Sequence, residues 1–430
     1  MKRVVGAAVV TAMVSYASSV AAAGATAASQ WAGLYFGVQA GYAKSAVTER
    51  YTTDDPADPW WDAGAEGGVF GAFAGYNHPL SGNMLLGAEI EGNLSSQAGQ
   101  YFNSYYGGDY FNSSWSAAAR LRFGFLPSPN AFLYGSVGLA VANFDYTNGY
   151  FSYPSYVPYT NPSLTLAGIQ LGIGAETFIS PRWSLRSEAI YTQYATGTID
   201  FTSGTYLVNP RTLTARVGLT YHLGWMGQPM APTASDTPMG SWTGLYAGAD
   251  LGMIAVDSIE DYASGGYNPS FDSGGAAGRL GAHAGFNWQA GSMVAGLEVG
   301  ADGPGPLVRY DYHPDAKQNW SAAIRGRLGF LTSPNVLVYG TAGWVASGFD
   351  YYNNYASGYV DHDAASFTAN GFQFGGGVEA FIHPNLSVRV EGLYTSYGSH
   401  LLDSSGGTPD YWTAAVHTLE GRLGLSYHFN

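Results

Sequence analysis

The stretch WAGLYFGVQAGYA, residues 31–43, is answered near the middle of the chain by WTGLYAGADLGMIA, residues 242–255. In the first copy Leu34, Phe36, Val38, Ala40 and Tyr42 share one face, while Gly33, Gly37, Gln39 and Gly41 share the other. A period of two belongs to a β-strand. One face is apolar and the other small or polar, so the two faces meet different surroundings.

The echo is not isolated. GAFAGYN from Gly71 returns as GAHAGFN from Gly281, and WSAAARLRFGFLPSPN from Trp115 as WSAAIRGRLGFLTSPN from Trp320. GIQLGIGAETFISPRWSLRSEAIYTQY from Gly168 returns as GFQFGGGVEAFIHPNLSVRVEGLYTSY from Gly371. The matches run in order, and their offset drifts only between blocks. Units this long are duplicated domains rather than solenoid repeats. WMGQPMAPTASDTPMGS, residues 225–241, has no apolar alternation and reads as a linker.

Alternation recurs in eight segments of the first unit, near 33–43, 68–77, 84–94, 114–126, 131–146, 165–179, 183–197 and 211–223. Their connections alternate in length. NHPLSGN at Asn77, PSPN at Pro127 and SPR at Ser180 are tight turns, whereas 44–67, 95–113, 147–164 and 198–210 are long. The second unit repeats the scheme with TSPN at Thr332 and HPN at His383. Short turns on one side and long loops on the other mark an up-and-down transmembrane barrel, with periplasmic turns and extracellular loops. The expected fold is all-β, with two tandem eight-stranded antiparallel transmembrane barrels over 31–224 and 242–430, joined by a periplasmic linker. One sixteen-stranded barrel is the alternative. The partner of the first strand decides between them.

Composition agrees. Charged residues make up 11% of the 430, aromatics 15%, Tyr counts 33 and Gly 60, and the mean hydropathy is −0.05. A barrel whose two faces cancel gives such an average. Lys2, Arg3, the apolar run 4–14 and the small residues after it have the layout of a cleaved secretory signal over 1–23, with Ala23 or Ala27 as the cleavage site. No later segment is a spanning-helix candidate. The chain has no Cys, and its formal charge of −14 without basic clusters excludes nucleic acid as a partner.

Charged residues sit on the face opposite the apolar stripe. In the first unit these are Glu89, Glu91, Arg120, Arg122, Glu176, Arg186, Glu188 and Arg216. In the second they are Glu298, Arg325, Arg327, Glu379, Arg389, Glu391, Glu420 and Arg422, with Asp250 as an extra. Four acids and four arginines per unit suggest a self-neutralising lumen network rather than catalysis. Trp31, Trp183, Tyr194 and Tyr221 lie at strand ends and suit an interfacial girdle or internal packing equally.

The opening WxGLYxG, the Gly-rich alternating strands and the terminal GLSYHF resemble the OmpA-like and opacity-type porin family of outer-membrane barrels, most of all the surface barrels of α-proteobacteria. The resemblance implies contact with outer-membrane lipid and lipopolysaccharide. It also implies insertion by the barrel-assembly machinery through a C-terminal strand ending in an aromatic, here Tyr427 and Phe429, although Asn430 follows.

The expected role is structural and surface-exposed, with at most narrow passage of small solutes. A general diffusion porin is one alternative. Adhesion or receptor binding through Tyr- and Asn-rich loops such as YFNSYYGGDYFNS at Tyr101 is another. No catalytic, cofactor or metal set is read. His283 is expected to face the lumen, and no His–Asp–Ser set is matched in both units. The acids of TERYTTDDPADPWWDAGAE, residues 48–66, show no convergent spacing for Ca²⁺ or Mg²⁺.

Overall fold

The computed structural model describes residues 24–52, 60–80, 82–103, 107–152, 155–160, 162–201, 204–224, 236–263, 270–310, 313–351, 365–403 and 411–429. The leader, residues 1–23, and linker residues 225–235 lie outside the described residues, and so do parts of the Tyr-rich loops. A short helix, α1 (Gly24–Trp31), precedes the strands. Among the described residues no helix is long and apolar enough to cross a membrane.

The first unit consists of β1 (Gly33–Tyr51), β2 (Trp60–Pro79), β3 (Met84–Asn103), β4 (Gly107–Ser128), β5 (Ala131–Ser152), β7 (Ser163–Phe178), β8 (Trp183–Tyr194) and β10 (Gly204–Gly224). The short β6 (Ser155–Thr160) and β9 (Gly197–Phe201) pair antiparallel onto β5 and β10 at the loop end. The second unit consists of β11 (Gly244–Ala263), β12 (Ser270–Ala290), β13 (Met293–Asp302), β15 (His313–Ser333), β16 (Val336–Tyr351), β17 (Ala365–His383), β18 (Leu386–Asp403) and β19 (Tyr411–Phe429), with β14 (Leu307–Tyr310) pairing onto β15.

Every pairing is antiparallel. β1 pairs with β2 on one side and with β10 on the other, through Val38↔Leu219 and Tyr42↔Ala215. β11 likewise closes on β19, through Ala249↔Leu425 and Ala255↔Leu419. Each unit therefore closes on itself as an eight-stranded barrel, and the single sixteen-stranded barrel is set aside. At the tight turn after β12, Gly291 has φ 62°, a left-handed conformation that favours glycine.

The strands run further than the alternation suggested. β1 continues to Tyr51 and β3 to Asn103, so much of 44–67 and 95–113 is strand rather than loop. The physical reason is visible on β5. Val137, Leu139 and Val141 point outward, Leu139 with 70% of its surface exposed. Beyond Val141 the polarity inverts: Phe144 and Tyr146 turn inward and are buried, while Asn143 and Asp145 face out. The period of two persists, but water has replaced hydrocarbon outside the wall. The inversion marks the loop-side edge of the apolar belt.

The barrels lie side by side. Phe125, Leu133 and Ala175 of the first pack with Val336, Val378, Val388 and Val390 of the second. Further along the seam a side chain on Gly421 would strike Ala189, and one on Gly392 would meet Ala215. Small residues permit such close approach between walls that lipid does not press together. At the loop end Ser273 of β12 pairs with Ala63 of β2.

Candidate functional site: three tiers in each lumen

All sixteen predicted charged residues point into the lumens and are buried, none more than 6% exposed. In the first barrel Glu89 is the hub. It accepts from Tyr35 Oη (3.0 Å), Arg120 Nε (3.0 Å) and Arg186 Nη1 (2.8 Å). Arg216 forks onto Glu91 at 3.1 and 2.6 Å and reaches Glu188 through Nε at 2.9 Å. Arg122 donates to Glu176 (3.3 Å) and Asn77 (3.1 Å), with its guanidinium carbon 4.7 and 4.8 Å from the rings of Tyr35 and Tyr134. Burial is tolerable here because each charge is both paired and hydrogen-bonded.

The second barrel repeats the hub with Glu298, which accepts from Tyr246 (2.9 Å), Arg325 (2.5 Å) and Arg389 (2.5 Å). Arg327 donates to Glu379 at 2.5 Å, and Arg422 Nε lies 3.2 Å from Glu391. The four-and-four balance does not hold in this barrel. Asp250, Asp302 and Arg279 join the network: Arg279 lies 3.7 Å from Glu420 and 3.9 Å from Asp302. The surplus comes from Glu420, Asp302 and Arg279, where the first barrel has Thr214, Asn93 and Val69, while Asp250 enters by an exchange that keeps the count. Where the first barrel has Glu91 and Gln39, the second has Gly300 and Asp250, so the carboxylate has moved to another strand. Asp250 then meets Arg389 (3.2 Å) and Arg422 (3.6 Å).

At the turn end each lumen is stoppered by the tryptophan of the repeated phrase. Trp31 and Trp242 are wholly buried. Trp31 packs with Phe132, Phe178 and Ala28 of α1, and its Nε1 donates to Pro129 O at 2.9 Å. Trp242 packs with Phe381 and Leu337 and donates to Pro334 O at 3.0 Å. Trp31 is therefore no girdle residue. Tyr194 also turns inward, whereas Trp183 is 40% exposed and meets Tyr221 edge to face at 5.0 Å. At the loop end an apolar plug fills each barrel: Phe111, Phe144, Tyr146 and Tyr194 in the first, Val345, Phe349, Tyr351 and Tyr397 in the second.

Two histidine arrangements leave no recognisable signal in the sequence. His222 lies 2.8 Å from Ser184, whose hydroxyl donates to Glu176 at 2.5 Å. His428, Ser387 and Glu379 repeat this in the second barrel. Each hydroxyl proton is committed to the carboxylate, so the imidazole Nε2 donates to the serine, the wrong polarity for activating it.

The second arrangement exists only in the second barrel. His283 does face the lumen. Its Nδ1 donates to Asp250 at 2.8 Å, and its Nε2 stands 2.8 Å from Ser426 Oγ. That is the order of an acyl-transfer relay. All three residues are at most 4% exposed, and Asp250 also carries Arg389. The first barrel has Gln39, Phe73 and Thr220 in these places.

The family model for the outer membrane protein beta-barrel domain matches this chain twice, over residues 13–222 and 228–429. The 22 kDa outer membrane protein of Rhizobium leguminosarum bv. viciae is 32% identical over 178 residues, 41% of this chain and 75% of that protein. The 31 kDa outer-membrane immunogenic protein of Brucella melitensis biotype 1 is 30% identical over 231 residues, 47% of this chain and 90% of that protein. Among solved structures, Neisserial surface protein A matches 44% of this chain and 98% of its own at 15% identity and a TM-score of 0.28. The Pseudomonas putida toluene transporter TodX matches 94% and 92% at 9% identity and a TM-score of 0.30. Structural likenesses this slight decide nothing about function.

Proposed function

The chain belongs to the outer membrane β-barrel domain family and resides in the bacterial outer membrane, and from that premise we propose a non-enzymatic, surface-exposed structural protein whose two lumens do not conduct at rest. One observation carries this reading: each lumen is filled in three successive tiers, a tryptophan stopper, a paired charge network and an apolar plug. An eight-stranded barrel has room for side chains and little else. A general diffusion porin needs an aqueous lumen, and this packing opposes one.

The Asp250–His283–Ser426 relay fits the same role. Its serine is only 1% exposed, so the hydrogen bonds serve as lumen filling. The outward band, with Leu139 and Phe372 at 70% and 76% exposure, faces lipid, with lipopolysaccharide against the loop-side rim. Tyr427 and Phe429 meet edge to face at 5.0 Å on the outer wall of the last strand, where the assembly machinery would read them.

The test is single-channel recording on the refolded full-length protein, with proteoliposome swelling in sugars of graded size. Silent bilayers and unswollen vesicles are the expected result. Stable, long-lived openings overturn the reading. Ester hydrolysis that is present in wild type and lost in Ser426→Ala would restore an enzyme.

A further inference from the structure

On the seam, just beyond the apolar belt, four charged or ionisable side chains from both barrels converge. Lys44 of β1 and Glu66 of β2 face each other across the first barrel's wall and are in direct ion-pair contact. Asp257 of β11 and His417 of β19 face each other across the second barrel's wall. His417 Nδ1 lies 3.2 Å from Glu66, and Lys44 Nζ lies 3.9 Å from Asp257. Tyr42 and Tyr394 meet edge to face at 5.3 Å on the belt side of the cluster, and the Tyr394 ring also lies 6.0 Å from His417.

We propose that Glu66, Asp257 and His417 form a binding site for a divalent cation of the Zn²⁺ type, shared between the two barrels. Three observations support it. One donor atom from each residue falls within 4.8 Å of the other two. Two carboxylates and an imidazole make a donor set suited to zinc, with water as the fourth ligand. Side-chain adjustment of about an ångström brings these atoms to the roughly 3.4 Å spacing of a tetrahedral shell.

The third observation is Asp257 itself. Its side chain is 3% exposed, yet Oδ1 has no hydrogen-bond partner among the described residues. It rests against Gly64, where any side chain would collide with it. A carboxylate shut between two walls with an idle oxygen leaves a demand for positive charge that one ammonium, held mainly by Glu66, does not meet. Glu66 and His417 are 17% and 19% exposed, so the site opens toward the loop side. Lys44 is the resident counter-charge and competes with the metal.

The ligands belong to both barrels, so the cation would clamp the tandem pair at its outer rim. The 3.2 Å contact between Glu66 Oε1 and His417 Nδ1 holds the imidazole beside the carboxylates.

The test uses tag-free, refolded full-length protein in detergent micelles, titrated with Zn²⁺ alone. Co²⁺ absorption reports coordination, and heat-shifted gel mobility confirms folded barrels. Wild type is expected to bind one equivalent with a tetrahedral Co²⁺ spectrum. Asp257→Asn and His417→Ala are each expected to weaken binding tenfold or more. Lys44→Met removes the competitor and is expected to tighten binding. The proposal is overturned if wild type binds no equivalent, if the triple variant E66Q/D257N/H417A binds as wild type does, or if Lys44→Met leaves affinity unchanged or weaker.

Discussion

Trp31 and His222 meet edge to face at the turn-end mouth of the first barrel, ring centroids 5.6 Å apart and planes at 88°. Trp242 and His428 repeat the contact at 5.8 Å and 89°. The repeated opening phrase thus does two things in each unit. Its tryptophan closes the mouth, and its alternation starts the wall. The tyrosine four residues later, Tyr35 or Tyr246, ties that wall to the hub glutamate.

Removing the stopper leaves a large cavity under the charge network. Trp31→Ala and Trp242→Ala are each expected to cost about 3–5 kcal/mol, the usual range for a buried tryptophan. Urea midpoints of the heat-shifted gel band measure the loss. The double variant should also show brief conductance events absent from wild type. Stability unchanged within error in both single variants would mean that the mouths are closed by something else.

The charge networks can be interconverted. Gln39→Asp with Glu91→Gly gives the first barrel the layout of Asp250 and Gly300 in the second. Glu91→Gly alone takes the carboxylate from both Nη atoms of Arg216, leaving only its Nε bond to Glu188, and is expected to cost about 3–5 kcal/mol, as breaking one partner of a buried pair does. Gln39→Asp alone adds an acid to a balanced set and should also destabilise. The double variant should lose less than the sum of the singles, with a coupling of about 0.5–3 kcal/mol in the denaturation midpoints. Strict additivity would refute a shared network.

Much of this architecture is legible in the sequence. Strand parity assigns the charged positions to the lumen without coordinates, because hydrocarbon tolerates no isolated Arg or Glu on its side. Arg279 was within reach of the same argument, since it shares parity with Gly281 and His283 in GRLGAHAG. The apolar plugs were not. Phe144 and Tyr146 look like any aromatic near a strand end, and only the wall's height above the membrane tells which face is dry. Trp31 illustrates the same ambiguity at the opposite mouth. The metal cluster leaves no spacing signal, because Glu66 and His417 lie 351 positions apart on different barrels.

The side-by-side arrangement has its own test. Thr177 and Thr332 touch across the seam, Oγ1 to Oγ1 at 2.7 Å. The chain has no cysteine, so Thr177→Cys with Thr332→Cys gives a clean background. Mild oxidation of the folded protein should join the barrels, so that proteolysis in the linker releases two fragments only after reduction. Adding Gly421→Leu, which drives a side chain into Ala189, should cut the cross-link yield severalfold. An equal yield with and without the Gly421→Leu change would mean that the barrels do not share this seam.

Phe429 is 59% exposed and Tyr427 48%, on the outer wall near the end of the chain's final strand. Apolar rings left facing lipid do little for the packed lumen, so their truncation should hardly change stability once the barrel has formed. They should matter before that, while the strand is recognised. Phe429→Ala is expected to leave the urea midpoint within about 1 kcal/mol of wild type. It should also lower the folded fraction in cell envelopes severalfold, read as heat-shifted band against total protein. The first unit ends its last strand at Leu223 and Gly224 without such a ring, so on this reading the second barrel carries the signal for both. Adding Leu223→Phe should therefore rescue little of the loss. Full rescue would mean that each barrel is inserted on its own signal.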